Sequence, residues 1–302
     1  TWMAGTEKRR STKPRNTARM GLAATADSTS EWRELGAQVN GYDSVGQHYV
    51  GIPAIFGMNF QSVSVGQKLA SSGPTDPPGL KGGYLDANAT PGNALTQELT
   101  YVDQAIGQMV AELKKVGHYG DTLIIISAKH GQSPIDPSLR TTRDDGQFFP
   151  QTLGLGFYIS DDVLLLWLQP NLQKADRAAA LAYLNSVAAA ANLQVVNTGE
   201  QYRGTFKSPL TDPRTPDFIG LPYHGTIYTT GSKLAEHGGF ADDDRHVAML
   251  VSGTGVPHGV QETATVMTTQ IAPTILTALG LDPNALQGVR IEHTAVLPRA
   301  FK

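Results

Sequence analysis

No cysteine occurs anywhere in the 302 residues, which excludes disulfides and thiolate metal sites and leaves the redox compartment open. No uninterrupted apolar run approaches the roughly 18 residues of a membrane span, and no signal-peptide core is present. Charge is sparse, at 17% of residues, and unevenly placed. The net charge of −3 divides into +5 over residues 1–20 and −8 over the remainder. A basic nucleic-acid face is thereby excluded outside the N-terminus. Several compact catalytic signatures are also missing: there is no G-x-S-x-G, no H-E-x-x-H, no P-loop and no dinucleotide glycine fingerprint.

What remains is an ordinary globular composition, 40% hydrophobic, long enough for one large α/β domain or two smaller ones. Its organising stretch is Asp121 to Asp136, DTLIIISAKHGQSPID. Thr122 to Ser127 has no polar alternation over its apolar part, so it reads as a parallel strand buried on both faces. The strand ends on Lys129, His130 and Gly131, and ligands of open α/β sheets bind at the carboxyl ends of strands. Upstream, Leu99, Val102, Ile106, Met109, Val110 and Leu113 recur at helical spacing, predicting a helix over Leu95 to Val116 that Gly117 ends.

Along the chain, residues 1–40 read as a poorly structured basic segment. Lys8, Arg9, Arg10, Lys13 and Arg15 form either a surface-binding arm or a solvated tail. Val50 to Phe56 is a short strand candidate broken by Pro53, and Ala70 to Pro91 is a Gly- and Pro-rich loop. Strands are predicted over Asp162 to Leu168, Leu193 to Asn197 and His246 to Val251, and over Asp217 to Tyr228 with a break at Pro222. Helices are predicted over Ala175 to Ala191 and Thr268 to Leu279. Residues 160–215 read as an inserted lobe beside the site. Ser232 to Phe240 closes in a His237-Gly238-Gly239 turn. His48, His118, His258 and His293 have no partner pattern, whereas His224 and His246 lie near enough to His237 in sequence to be candidates for contact with the site.

A helix ending in K-x-x-G, then DTLIIIS, then a His-Gly turn resembles the alkaline phosphatase superfamily, in its type I phosphodiesterase and nucleotide pyrophosphatase branch. The segment Thr265 to Gly288 is similar to that superfamily's closing helix and glycine loop. The resemblance implies a three-layer α/β/α sandwich with a mostly parallel sheet over residues 41–302, and hydrolysis of phosphoric esters. It also implies a divalent metal, zinc before others, a small phosphate ester or nucleotide as substrate, no nucleic acid or membrane partner, and an extracellular or periplasmic setting.

The same resemblance places metal ligands at His130, His237 and Asn59. It also shows where this chain departs from the family: the Asp of a Ser-Asp-His-Gly turn is Lys129, and the Asp and His of an Asp-x-x-x-His motif are Asn59 and Val63. The family's N-terminal Asp and nucleophile have no counterpart in residues 1–58, so the resemblance implies an N-terminally incomplete member. Lys129 either replaces a metal as the charge that binds phosphate or pairs with a carboxylate at the strand end. Two functions stay open: a phosphodiesterase-type hydrolase, impaired by the missing nucleophile, and a non-catalytic scaffold that binds an anion or a partner. The side chains of His130 and His237 are expected to converge on one cleft, with Lys129 and Asn59 on its wall.

Overall fold

A computed structural model describes residues 35–70, 79–253 and 255–301. The expectations for residues 1–34, including the basic arm, lie outside these. Residues 35–39 are helical, and Leu35 and Val39 are buried.

Helix α1 (Gln61–Lys68) packs on α2 (Asn93–Lys115). Leu95, Ala105 and Leu113 form the buried stripe of α2 at helical spacing. Lys114 and Lys115 in its last turn complement the helix dipole. The chain leaves through Gly117 at φ 81° and enters β1 (Leu123–Ser127).

Strand β1 pairs antiparallel with β8 (Met249–Gly253), Ile125 facing Val251. Leu123 to Ile126 are only half-buried and Ser127 is exposed, which corrects the expectation of a parallel strand covered on both faces. The apolar run specifies a strand, but its sequence carries no information on partner direction. A two-stranded ribbon also leaves each strand one neighbour short of full cover. Val50 to Phe56 forms no strand either; Val50, Ile52 and Ile55 are exposed. Pro53 removes a ladder donor, and no described partner lies alongside.

The rest of the sheet structure is a parallel pair, β2 (Thr141–Arg143) with β7 (Thr226–Tyr228), and a four-stranded sheet. The latter has the order β3 (Leu155–Ser160), β4 (Leu164–Leu168), β6 (Phe218–Pro222), β5 (Leu193–Thr198), all antiparallel. Among the described residues the α/β class therefore holds, but the pairing is mostly antiparallel and the sheets are small. The four-stranded sheet draws its strands from Leu155 to Pro222, a longer stretch than residues 160–215.

Helix α3 (Lys174–Val187) covers one face of the four-stranded sheet. Ala180 and Leu184 meet Leu164, Leu166, Leu168 and Phe218 there, and Phe149 and Tyr228 close the cluster. The opposite face carries Phe157 beside Trp167, and Phe157 is 57% exposed. The predicted strand over Asp162 to Leu168 begins at Leu164, because Asp162 and Val163 form the β3–β4 turn. The break at Pro222 is real. Gly225 turns the chain at φ 87°, where a Cβ would lie 2.3 Å from the Leu139 carbonyl oxygen. Helices α4 (Asp242–Arg245), α5 (Ile271–Ala278) and α6 (Gln287–Glu292) complete the chain, α5 preceded by a 3-10 turn at Thr268–Gln270.

Candidate functional site

Two loop segments meet in an isolated antiparallel bridge. The Ser133 N–H donates to the Glu236 carbonyl at 2.8 Å, and the Glu236 N–H donates back to Ser133 at 2.9 Å. In antiparallel register, stepping back from Ser133 along one segment matches stepping forward from Glu236 along the other. The bridge sets the two turns side by side, and the rings of His130 and His237 stack with centroids 3.7 Å apart and planes 25° from parallel. The two rings thus meet.

A third segment closes the arrangement. The Gly131 N–H donates to the Asp244 carbonyl of α4 at 2.7 Å. Here glycine is obligatory, because a Cβ would lie 1.7 Å from the Asp243 carbonyl oxygen. The Asp243 carboxylate accepts from the Ile135 N–H at 2.9 Å and lies 2.8 Å from His224 Nε2. The Gln132 amide donates to Ser64 Oγ at 2.8 Å, tying α1 to the same turn.

The charges are mixed. Glu236 is 2% exposed and takes two ammonium groups, Lys68 at 2.9 Å and Lys233. Burial pushes its carboxyl up, but the two lysine hydrogen bonds outweigh this and hold it below the usual glutamate range. Burial, then the charges of Lys68, His130 and Lys129, push His237 down to about 4. It is a neutral imidazole near pH 7. His130 Nδ1 lies 2.8 Å from the Gly131 carbonyl oxygen. A carbonyl only accepts, so Nδ1 carries a proton, which leaves Nε2 as the nitrogen that can accept one.

Of the residues predicted from sequence, the structure joins His130 and His237 and places the exposed Lys129 next to them in the chain. Lys129 makes no ion pair with a described residue. Asn59 is exposed beyond the start of α1, where its amide donates to Gln61 at 3.1 Å. His224 reaches the site through Asp243, while His246 stays on the surface, 4.0 Å from Asp242. Sequence reasoning missed Lys68, Lys233 and Glu236, and it missed Asp162 and Asp244. The only signal for these was the acidic run Asp242 to Asp244 just after the His-Gly-Gly turn.

No group of three or more His, Asp or Glu side chains able to hold a metal forms among the described residues. Two stacked imidazoles with no third ligand grouped with them among the described residues fall short of the three protein ligands of a catalytic zinc. The described donor set does not fit a zinc centre.

A family model described as type I phosphodiesterase / nucleotide pyrophosphatase matches residues 12–247. It opens well before Gly41, where the resemblance read from motifs begins. None of the curated proteins matches. Among solved structures, an inactive murine ectonucleotide pyrophosphatase / phosphodiesterase 5 in complex with AMP is similar at TM-score 0.50 and 13% identity, over 71% of this chain and 51% of that one. Wild-type alkaline phosphatase PafA is similar at TM-score 0.49 and 14% identity, over 63% of this chain and 41% of that one. Phosphonoacetate hydrolase from Sinorhizobium meliloti is similar at TM-score 0.38 and 14% identity, over 62% and 46%. The chain thus spans about half the length of these proteins or less, and at such identities the likeness concerns the fold.

Proposed function

The chain belongs to the type I phosphodiesterase / nucleotide pyrophosphatase family, and from that premise we propose that the paired histidine turns are a phosphoester site on a hydrolase-type scaffold. The observation that carries this reading is the His130–His237 stack at 3.7 Å with Lys68 and Lys129 acting on it. Two imidazoles and the exposed Lys129 ammonium, on loops that follow β1 and β7, suit an anion with several acceptor oxygens. A phosphate monoester, a diester or a nucleotide phosphate has that chemistry, and the AMP bound by the murine neighbour is one such ligand.

In hydrolysis the attacking oxygen forms a new bond to phosphorus, and the bond to the ester oxygen breaks. The proton lost by the attacking oxygen needs an acceptor, and the lone pair on His130 Nε2 is available for it. Lys129, exposed beside His130, is the cation for the phosphoryl oxygens and the charge that develops on them, while Lys68 stays bound to Glu236. A divalent metal, zinc first, belongs to this proposal only through the family. The three-layer arrangement is likewise proposed from the family alone.

A second reading is a scaffold that binds an anion without turning it over. It is favoured by Lys129 standing where the family's turn carries a carboxylate, and by two imidazoles that form no metal-holding group with a third side chain among the described residues. Titration with inorganic phosphate and hydrolysis of bis(p-nitrophenyl) phosphate separate the two. Hydrolysis lost in His130→Ala supports the first reading. Phosphate binding without turnover at any divalent metal supplement supports the second. Absence of phosphate binding at millimolar concentration overturns both.

A further inference from the structure

Behind the histidine turns lie two carboxyl groups that the proposed chemistry does not use. Asp162, in the β3–β4 turn of the lobe, is 7% exposed, and Asp244, on α4, is 4% exposed. Neither is ion-paired with a described residue, and none of their four oxygens has a fully formed hydrogen bond to one. Both lie against the glycine two residues past His237. A Cβ on Gly239 would be 2.8 Å from Asp244 Oδ2 and 3.0 Å from Asp162 Cγ. Asp244 also accepts the Gly131 N–H through its own carbonyl. Its main chain thus holds the turn of His130, and its side chain abuts the turn of His237.

We propose that Asp162 and Asp244 share one proton, and that this acid–carboxylate hydrogen bond clamps the lobe to both histidine turns and sets the imidazole stack. Two buried carboxylates side by side cannot both stay ionised without a cation, and one proton satisfies both through a single short hydrogen bond. The surroundings offer no substitute. Asp161 on the same turn and Asp243 beside Asp244 add negative charge, and Asp243 is engaged with His224 and the Ile135 amide. Lys68 and Lys233, the nearest ammonium groups acting on this turn, are bound to Glu236.

The surroundings favour Asp162 as the protonated partner. Burial, then the charge of Asp244, pushes Asp162 far up. Burial also raises Asp244, but the amides of Gly238 and Ala241, short of full hydrogen-bond geometry, favour its ionised form. Asp162 and Asp244 are accordingly positioning residues, acting on the site through the two turns.

The inference rests on the proposed phosphoester site only for its functional consequence, so the test has two separate readouts. Imidazole resonances of His130 and His237 report the stack through ring-current shifts, with no ligand present. Phosphate titration reports the site. In the wild type the stack signature is expected to vanish at alkaline pH in step with a fall in melting temperature. Asp162→Asn supplies a permanent donor of the same shape, so its stack and melting temperature should stay level over that range. Asp162→Ala should lack the stack signature at every pH and weaken phosphate binding on the order of tenfold or more. If Asp162→Asn keeps the wild-type alkaline transition, the shared proton is wrong. If millimolar magnesium or calcium raises the melting temperature of the wild type but not of Asp162→Asn, a cation occupies the pair instead, and the proposal falls. Should phosphate fail to bind while the resonances behave as expected, the clamp stands and the phosphoester reading is what fails.

Discussion

Gly131 occupies a position where a side chain has no room. With the Asp243 carbonyl 1.7 Å from the point a Cβ would take, Gly131→Ala must push α4 away from the histidine turn or unseat the turn itself. The expected loss is about 3 kcal/mol or more, read from denaturant unfolding, together with loss of the His130–His237 stack in the imidazole spectrum. A stable Gly131→Ala protein with the stack intact contradicts the packing described here. Lys129 is the opposite case, an exposed side chain whose substitution the fold tolerates. Lys129→Asp replaces a cation with the carboxylate that the family's turn carries. It should bind zinc more tightly than the wild type and phosphate less tightly, both by calorimetry. Equal zinc affinity in the two proteins shows that this lysine does not govern the metal.

At the scale of elements, two contacts decide how the site is held. Glu236 fixes α1 to the second histidine turn, because Lys68 ends α1 and bonds the carboxylate at 2.9 Å. Removing both lysines, Lys68→Met with Lys233→Met, leaves a buried carboxylate uncompensated and should cost about 3–5 kcal/mol. Adding Glu236→Gln should recover part of that loss, and no recovery means that the lysines act by packing alone. The lobe stands on a separate apolar cluster. Phe149 is 0% exposed and touches Tyr158 and Tyr228 edge-on. Phe149→Ala should therefore cost about 3–5 kcal/mol in thermal or denaturant unfolding.

For the whole molecule, the buried acids determine how stability varies with pH. Asp162 is pushed up to about 9 from 3.8, so the stability it contributes is complete below its unfolded value and is lost as pH rises toward 9. Glu236 is shifted the other way. Its contribution is present above 4.5 and is lost as pH falls through its depressed folded value. His237, pushed down from 6.5 to about 4, opposes Asp162 between those two values. The melting temperature should therefore fall most clearly from about pH 6.5 to about pH 9 and also fall in acid below about pH 4. A melting temperature that rises steadily from pH 6.5 to 9 rules out a buried neutral Asp162.

The sequence by itself determined which segments are regular and where the histidine turns lie. Apolar spacing is a local property, so α2, β1, β4, β5 and β8 were readable to within a few residues, as was the interruption between β6 and β7 at Pro222. The Lys-His-Gly and His-Gly-Gly turns were readable because glycine follows the histidine in each, on loops after or before strand-like runs. Only the tertiary structure decided strand direction, since antiparallel and parallel partners place the same demand on LIIIS and differ in what lies alongside. It also decided which charges meet. Glu236 with Lys68 is a contact across 168 positions of chain, and Asp162 with Asp244 one across 82. Neither leaves a periodic trace in the residues between, because such pairs arise from the docking of a lobe and two loops and not from the propensity of any one segment.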